Sequence, residues 1–379
     1  MERFTMKKIA ILTSSRADYG IYYPLLCALQ EHPGFTPEII AFGSHLSPYH
    51  GFTIKEIEAN GFEVKHIINS LLLNDDENSV ATATALTALK FSEFWKDHSD
   101  VYDLVFCLGD RYEMFGAVTA GIPFGILFAH IHSGETTLGA IDNIYRHAIT
   151  LSSEMFFTST KKYSDRVKEL VGSDDGIVLC GALALDNLEI IDLYTISQFK
   201  EIWNINLGIP TVLMTIHPET VSSEKNRMHA QVLGQFLEYA VSRAQIVITM
   251  PNADTLGSVY RLLFKKIEDN FPSKIKLIEN FGTRSYFSCL QHSKMVVGNS
   301  SSGIIEAASF GKYVLNIGDR QKGRTAGENV MNSPYDADKL QKAFDLLWQS
   351  ENFKGTNPYY HGGAVKKIIR KLENYFNLS

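Results

Sequence analysis

Nine titratable side chains crowd two short stretches of this chain: Asp110, Arg111 and Glu113 in GDRYEM, then His130, His132, Glu135, Asp142, Arg146 and His147 in HIHSGETTLGAIDNIYRH. Each stretch follows an almost purely apolar run, DLVFC and FGILFA. Such runs read as parallel strands buried on both faces, because no polar residue alternates with the apolar ones. The charged groups are thereby gathered at the carboxyl ends of neighbouring strands, where open α/β sheets take their ligands. Carboxylates crowded in this way raise one another's pKa, which suits general acid and base work. The pattern is that of an active site built for proton transfer.

A second set of residues is suited to an anion. In GNSSSGIIEA, after the strand KMVV, Ser300, Ser301 and Ser302 sit at a strand-to-helix turn. Small residues there let backbone N–H groups approach an anion, and the helix dipole favours negative charge. Three consecutive serines exceed what a helix cap requires. Glu306 follows about one turn into the helix, where a carboxylate suits vicinal hydroxyls or the dipole itself. The next loop, GDRQKGRTAGENV, adds Arg320, Lys322 and Arg324. With the serine turn it reads as a diphosphate clamp, since Arg recognises phosphate oxygens bidentately. No GKS or GKT occurs here, so this is not a Walker A loop.

The first strand ends in TSSRADYG rather than GxGxxG, which excludes a nicotinamide or flavin dinucleotide site and calls for no cofactor. Arg16 and Asp18 in that turn could contact a phosphate and a hydroxyl, or simply open the helix. His217, in TIHPET, stands at a strand end before Pro218, which delays the helix and lets the imidazole face a ligand. Asn252, in MPNAD, suits a ligand contact or a helix cap. The spacing of His130, His132 and Glu135 only loosely resembles a ligand set, and no metal site is read.

Positioning these groups requires a repeated strand-then-helix alternation. KKIAILTSS, PEIIAF, FEVKHII, DLVFC, FGILFA, EMFFTST and GIVLC read as strands of a first half. PTVLMTIH, QIVITMPN, KIKLIENF, KMVVGNS and KYVLNIG repeat the pattern. Helices are expected after Gly20, over FTIKEIEANG, from about Ser79 to Asp97, and over the last amphipathic stretch from about Ala364 to Asn377. Alternation of this kind means α/β domains with parallel sheets and right-handed crossovers. The expected division is 1–183, 184–360, and a terminal helix over 361–379 that could pack on either domain.

Composition agrees with that class. The 379 residues are long for one core, and 45% hydrophobic with 21% charged residues is ordinary for a globular chain. A net charge of −6 without a Lys/Arg run argues against a nucleic-acid surface. No apolar run approaches the roughly 20 residues of a membrane span, and the N-terminus is too short in apolar residues for a secretory signal. Four widely spaced cysteines (Cys27, Cys107, Cys180, Cys289) read as thiols of a reducing cytoplasm.

Taken in order, SRADYG, SHLSPYHG, LGDRYEMF, AHIHSGE, DNIYRHAIT, HPET, PNAD, GNSSSG, GDRQKGR and GENV resemble the hydrolysing UDP-N-acetylglucosamine 2-epimerase family, from Lys7 to about Tyr360. The resemblance implies two Rossmann-like domains facing a cleft, the GT-B arrangement, with the sugar on the first and UDP on the second. It also implies a homodimer or larger homo-oligomer, and a reaction that needs no nicotinamide. Family members abstract the proton on sugar carbon 2, expel UDP to leave a glycal, and add water with protonation from the opposite face. Asp110, Asp142 and His217 match the family's catalytic positions. Arg16, Asn252, Ser300, Ser301, Glu306 and Arg320 match its nucleotide and diphosphate contacts, with Asp18, Arg111, Arg146 and Arg324 as further candidates.

One departure bears on the chemistry. Many members read HIEGGE where this chain has HIHSGE, so a family catalytic Glu becomes His132, and Glu135 is the nearest remaining carboxylate. The carbon-2 base is then open among Asp110, His132, Glu135 and Asp142, with Asp110 and Glu135 favoured and Arg146 and His147 orienting them. The HIH form also occurs in relatives acting on UDP-2,4-diacetamido-2,4,6-trideoxy sugars on the route to legionaminic acid. His45 and the loop SLLLNDDENS are candidates for reading carbons 4 and 6. The expected reaction is UDP-N-acetylglucosamine to N-acetylmannosamine and UDP, as in sialic acid biosynthesis. The diacetamido sugar, or a glycosyltransferase of the same fold, is the alternative.

Overall fold

The computed structural model describes residues 6–48, 51–72, 74, 76–219, 223–251 and 257–378. The chain divides into two units: the first takes residues up to Thr136, Asp142–Ile190 and everything from Tyr359, the second Thr137–Ile141 and Ile191–Pro358. The seam at Ile190–Ile191 lies a few residues past the position expected from sequence.

Apolar runs build the strands as anticipated. The first unit holds β1 (Lys7–Thr13), β2 (Phe35–Phe42), β3 (Val64–Ile68), β4 (Leu104–Leu108), β5 (Phe128–Ile131), β6 (Met155–Thr158) and β7 (Ile177–Leu179), all parallel in the order β3-β2-β1-β4-β5-β6-β7. The second holds β8 (Thr211–Thr215), β9 (Gln245–Thr249), β10 (Ile275–Ile278), β11 (Met295–Gly298), β12 (Val314–Ile317) and β13 (Val330–Ser333), parallel in the order β10-β9-β8-β11-β12-β13. Each is a doubly wound Rossmann-like sheet, whose strand order reverses between β1 and β4 in one unit and between β8 and β11 in the other. LVFCL of β4 is buried at every position, as a central strand covered on both faces must be.

Three elements differ from the sequence expectation. FGILFA does not form one strand: Ile122–Phe124 is a 3-10 turn closed by Gly125 at φ +68, and β5 starts only at Phe128. Pro123 at the turn's start and the left-handed glycine account for the break. His130 therefore lies inside β5 rather than beyond it. The first helix, Arg16–Glu31, begins before Gly20 because Ser15 caps it, accepting from the Asp18 N–H at 3.3 Å. β13 lies where sequence showed only the end of a loop.

Two buried histidines pin the loops that leave these strands. His130 Nε2 donates to the Gly109 carbonyl at 2.9 Å, so Nδ1 of the neutral ring accepts from Thr150 at 3.1 Å. His45, in the turn after β2, bonds Thr13 at 2.8 Å through Nε2 and Thr53 at 2.9 Å through Nδ1. Burial pushes both rings down to about 3, helped at His45 by the nearby Arg111 charge.

The terminal helix, Ala364–Phe376, belongs to the first unit, where Ile368 and Leu372 are fully buried in the core with Leu29 and Phe35. Its own cap, Gly363, offers no side chain. Asp186 supplies the missing acceptor, taking the N–H groups of Ala364 at 3.0 Å and Val365 at 2.7 Å.

Two outcomes follow for stability. Leu372→Ala should destabilise the first unit by about 2–5 kcal/mol, and Asp186→Ala by about 1 kcal/mol, read from its thermal or urea transition. Equal transitions for wild type and Leu372→Ala would mean that this helix is not part of the core. The second concerns pH. Below pH 6.5 the unfolded imidazoles bind protons that the buried His45 and His130 refuse, so stability falls as pH drops towards 3. Each ring contributes a slope approaching 1.4 kcal/mol, roughly, per pH unit. Urea midpoints at pH 7, 6 and 5 should decline steadily, and a flat series would contradict the neutral, buried state of both rings.

Candidate active site

At the switch point of the first sheet, β4 is followed by Gly109, whose φ of +71 turns the chain so that Asp110 leaves the strand end. Arg111 then forks onto Glu113, Nε to Oε2 at 3.2 Å and Nη2 to Oε1 at 2.8 Å. Glu113 is wholly buried, and although burial works against its charge, Arg111 is held protonated by that carboxylate. The pair fixes the turn carrying Asp110.

β5 ends directly on His132, a non-glycine residue in the left-handed region at φ +62. Such a conformation costs of order 1 kcal/mol and persists where the surroundings enforce it. The enforcement is visible. His132 Nδ1 meets Glu135 Oε1 at 2.6 Å, Ser159 Oγ donates to the same oxygen at 2.6 Å, and Arg146 Nη1 donates to the His132 carbonyl at 3.0 Å. Arg146, buried on the helix Asp142–Leu151, also donates through Nη2 to Asp110 Oδ2 and lies 3.9 Å from Glu135 Oε2. One guanidinium thus ties the ends of β4 and β5 together. The Asp110 side chain keeps 23% of its surface exposed whereas Glu135 keeps 1%, so Asp110 presents the more reachable carboxylate. Asp142 is half-buried in the first turn of the Arg146 helix, where the dipole favours its charge.

The second unit repeats the placement with different chemistry. Ser300 caps the short helix Ser301–Ile305, accepting from Ser302 N at 3.3 Å, and Glu306 follows, buried. Asn299, completely buried between β11 and that helix, clasps the backbone of His217: Oδ1 accepts from its N–H at 2.7 Å and Nδ2 donates to its carbonyl at 2.8 Å. The Asn299 carbonyl accepts from Gln321 at 2.7 Å and, at 3.4 Å, from Arg320. Glu219 Oε1 receives the Asp319 N–H at 2.7 Å, an approach open only because Gly318 has no Cβ, which would stand 2.2 Å from that oxygen. The inserted segment Thr137–Ile141 rests on the same loop. Leu138 N donates to the Lys322 carbonyl at 2.8 Å, Arg324 Nε to Thr137 Oγ1 at 3.2 Å, and a Cβ at Gly139 would lie 1.9 Å from the Asp319 carbonyl.

Several expectations from sequence are thereby sorted. Asp110, His132, Glu135 and Arg146 form one network, and His217, Ser300, Ser301 and Arg320 surround Asn299. Both nitrogens of His45, a candidate for reading carbons 4 and 6, are engaged by Thr13 and Thr53. Asp18 is likewise taken up by its own turn, accepting from Ser14 N at 2.9 Å, Ser14 Oγ at 2.7 Å and Ser15 Oγ at 2.9 Å. Arg111 is engaged by Glu113, and Arg16 opens the first helix. Asn252 and part of the loop SLLLNDDENS lie outside the described residues. Sequence reasoning passed over Ser159, Asn299, Glu219 and Thr137. The first two follow the ends of β6 and β11, positions that helix caps commonly fill. Among the described residues, no group of three His, Cys, Asp or Glu side chains is gathered to hold a metal ion, and no helix is long and apolar enough to cross a membrane.

Comparison with known proteins places this geometry. The UDP-N-acetylglucosamine 2-epimerase family profile matches residues 27–373. The chain is 32% identical over 348 residues, 92% of its length and 89% of the relative's, to the GDP/UDP-N,N'-diacetylbacillosamine 2-epimerase (hydrolyzing) of Campylobacter jejuni. It is 30% identical over 368 residues, 97% and 96%, to the UDP-N,N'-diacetylbacillosamine 2-epimerase (hydrolyzing) of Legionella pneumophila. In fold it resembles the S. aureus MnaA structure solved with UDP, at a TM-score of 0.81 and 17% identity over 99% of this chain and 98% of that one. With the profile spanning nearly the whole length, the chain belongs to the UDP-N-acetylglucosamine 2-epimerase family.

Proposed function

We propose that this protein is a hydrolysing 2-epimerase acting on a UDP-linked 2-acetamido sugar. The observation that carries the reading is the Arg146-centred network, which sets a reachable carboxylate, Asp110, beside the buried His132–Glu135 pair. Epimerisation at carbon 2 by elimination and hydration needs proton-transfer groups on both ring faces, and this network supplies candidates for them.

In the first step a base removes the carbon-2 proton. The C2–H electrons form the C1=C2 bond and the C1–O bond breaks, its electrons leaving with UDP. In the second, a water oxygen bonds carbon 1 and a proton adds to carbon 2 from the other face, giving the free 2-epimer. The sum is UDP-sugar plus water to UDP plus the epimerised sugar. The departing diphosphate is assigned to the Ser300–Ser302 turn with Arg320 and Arg324, whose N–H and O–H donors and positive charge stabilise the leaving anion. Asn252 and Glu306 are assigned to the nucleotide side, and Asp142 and His217 to catalysis with Asp110.

The two relatives named above for the diacetylated sugar support UDP-N,N'-diacetylbacillosamine as first substrate. UDP-N-acetylglucosamine, the sugar of the family description, is the second reading. The relatives carry this choice.

Proton NMR in deuterium oxide with each sugar tests it. UDP release, with deuterium at carbon 2 of the free 2-epimer, is expected from the diacetylated sugar and more slowly from UDP-N-acetylglucosamine. Asp110→Asn should lower kcat about a hundredfold or more while UDP affinity changes little. Failure to release UDP from either sugar, or full activity in Asp110→Asn, would overturn the assignment.

A further inference from the structure

His132 is 5% exposed, and its two nitrogens differ sharply. Nδ1 is bound to Glu135 at 2.6 Å, while Nε2 is buried and takes no hydrogen bond from any described protein group. A buried ring nitrogen left without a partner is expensive unless a ligand completes it. Glu135, by contrast, has one oxygen doubly occupied, by His132 and by Ser159, and is almost wholly buried. The carboxylate is therefore placed to orient and to stabilise charge, and the imidazole is placed to take a proton. That division matches the general rule for a carboxylate–imidazole pair, in which the acid fixes the tautomer with Nδ1–H and stabilises the imidazolium.

Resting on the proposed elimination, we infer that His132 Nε2 is the base that removes the carbon-2 proton, and that Glu135, itself held by Ser159, is its positioning residue. The Nε2 lone pair takes the proton, the C2–H electrons become the C1=C2 bond, and UDP leaves with the C1–O electrons. The imidazolium then gives its proton to solvent before the next turnover, so no oxidant or further reactant is needed. The charged and titratable groups around the ring are Glu135 on its own turn, Arg146 and His147 on the following helix, Asp110 beyond β4 and His130 on β5. Arg146 takes the His132 carbonyl and Asp110, which leaves Glu135 as the carboxylate on the ring.

The backbone offers a clean test. At φ +62 a glycine is comfortable, so His132→Gly removes the ring while easing the turn. UDP affinity by calorimetry should match wild type, kcat should fall about a thousandfold, and added imidazole should restore a dose-dependent part of it. Glu135→Gln should lower kcat more than KM and move the acid limb of the kcat profile to lower pH, because an imidazolium without its carboxylate loses its proton more readily. A merely structural role would give neither the rescue nor the shifted limb. His132→Gly that binds UDP normally yet is inactive and unrescued overturns the inference, as does His132→Gln with wild-type kcat. If wild type itself releases no UDP from either sugar, the functional reading falls as well, and the two failures are thus told apart.

Discussion

Arg146 is the constraint on which the first unit's site depends. A guanidinium cannot be deprotonated, so burying it demands acceptors and counter-charge close by. Here the acceptors are Asp110 and the His132 carbonyl, with Glu135 within 3.9 Å. The consequence is geometric as much as electrostatic. Two loops from separate strands are drawn to one planar, rigid donor, whose fork admits little freedom in where they stand. The loop after β5 could hold its left-handed His132 only with such an anchor, because the strain has to be offset by contacts on both sides of the residue.

The two units use one topology for opposite electrostatic tasks. Each gathers its polar groups where strand order reverses, the position at which helices depart to opposite faces of the sheet and leave a crevice. In the first unit, carboxylates, an imidazole and a guanidinium are bonded together at the ends of β4 and β5. In the second the same place is made of a serine-capped helix start and the Asn299 clasp, uncharged hydroxyl and amide groups. Glu219, which would repel a diphosphate, is turned inward onto the Asp319 N–H and is buried. The polar groups of each half are thus set by loops laid on sheets that share one strand order, seven strands in one unit and six in the other.

Much of this was legible in the amino-acid sequence, and the misses have physical causes. Buried parallel strands declare themselves as unbroken apolar runs, so both sheets could be read from patterns such as LVFC and KMVV. Gly125 interrupts FGILFA just after Pro123, but the apolar content of the run masked the break. The edge strand VMNS is too short and too polar to show as one. Among site residues, a titratable group at a strand end was visible, but what it bonds was not. His45, Asp18 and Arg111 look the same in sequence whether they face a ligand or a threonine, a serine turn or a glutamate. Ser159 and Asn299 were hidden for the converse reason: their types are common at caps, and only three-dimensional proximity to Glu135 and His217 gives them a role.

The replacement of a family glutamate by His132 makes electrostatic sense within this network. With a carboxylate at that position, three acids (that one, Asp110 and Glu135) would share the single positive charge of Arg146. Like charges in a poorly hydrated site cannot all ionise, and one would be driven neutral. An imidazole at that position leaves two acids, rather than three, beside the one guanidinium. On the proposal that the ring takes the carbon-2 proton, the summed charge of His132, Asp110, Glu135 and Arg146 moves from net −1 to zero. A carboxylate base would instead begin from net −2, and the proton transfer would relieve a larger repulsion at a higher initial cost. The single residue difference between HIE and HIH therefore changes the balance of acids around Arg146, and it gives Glu135, three residues on, an imidazole to hold.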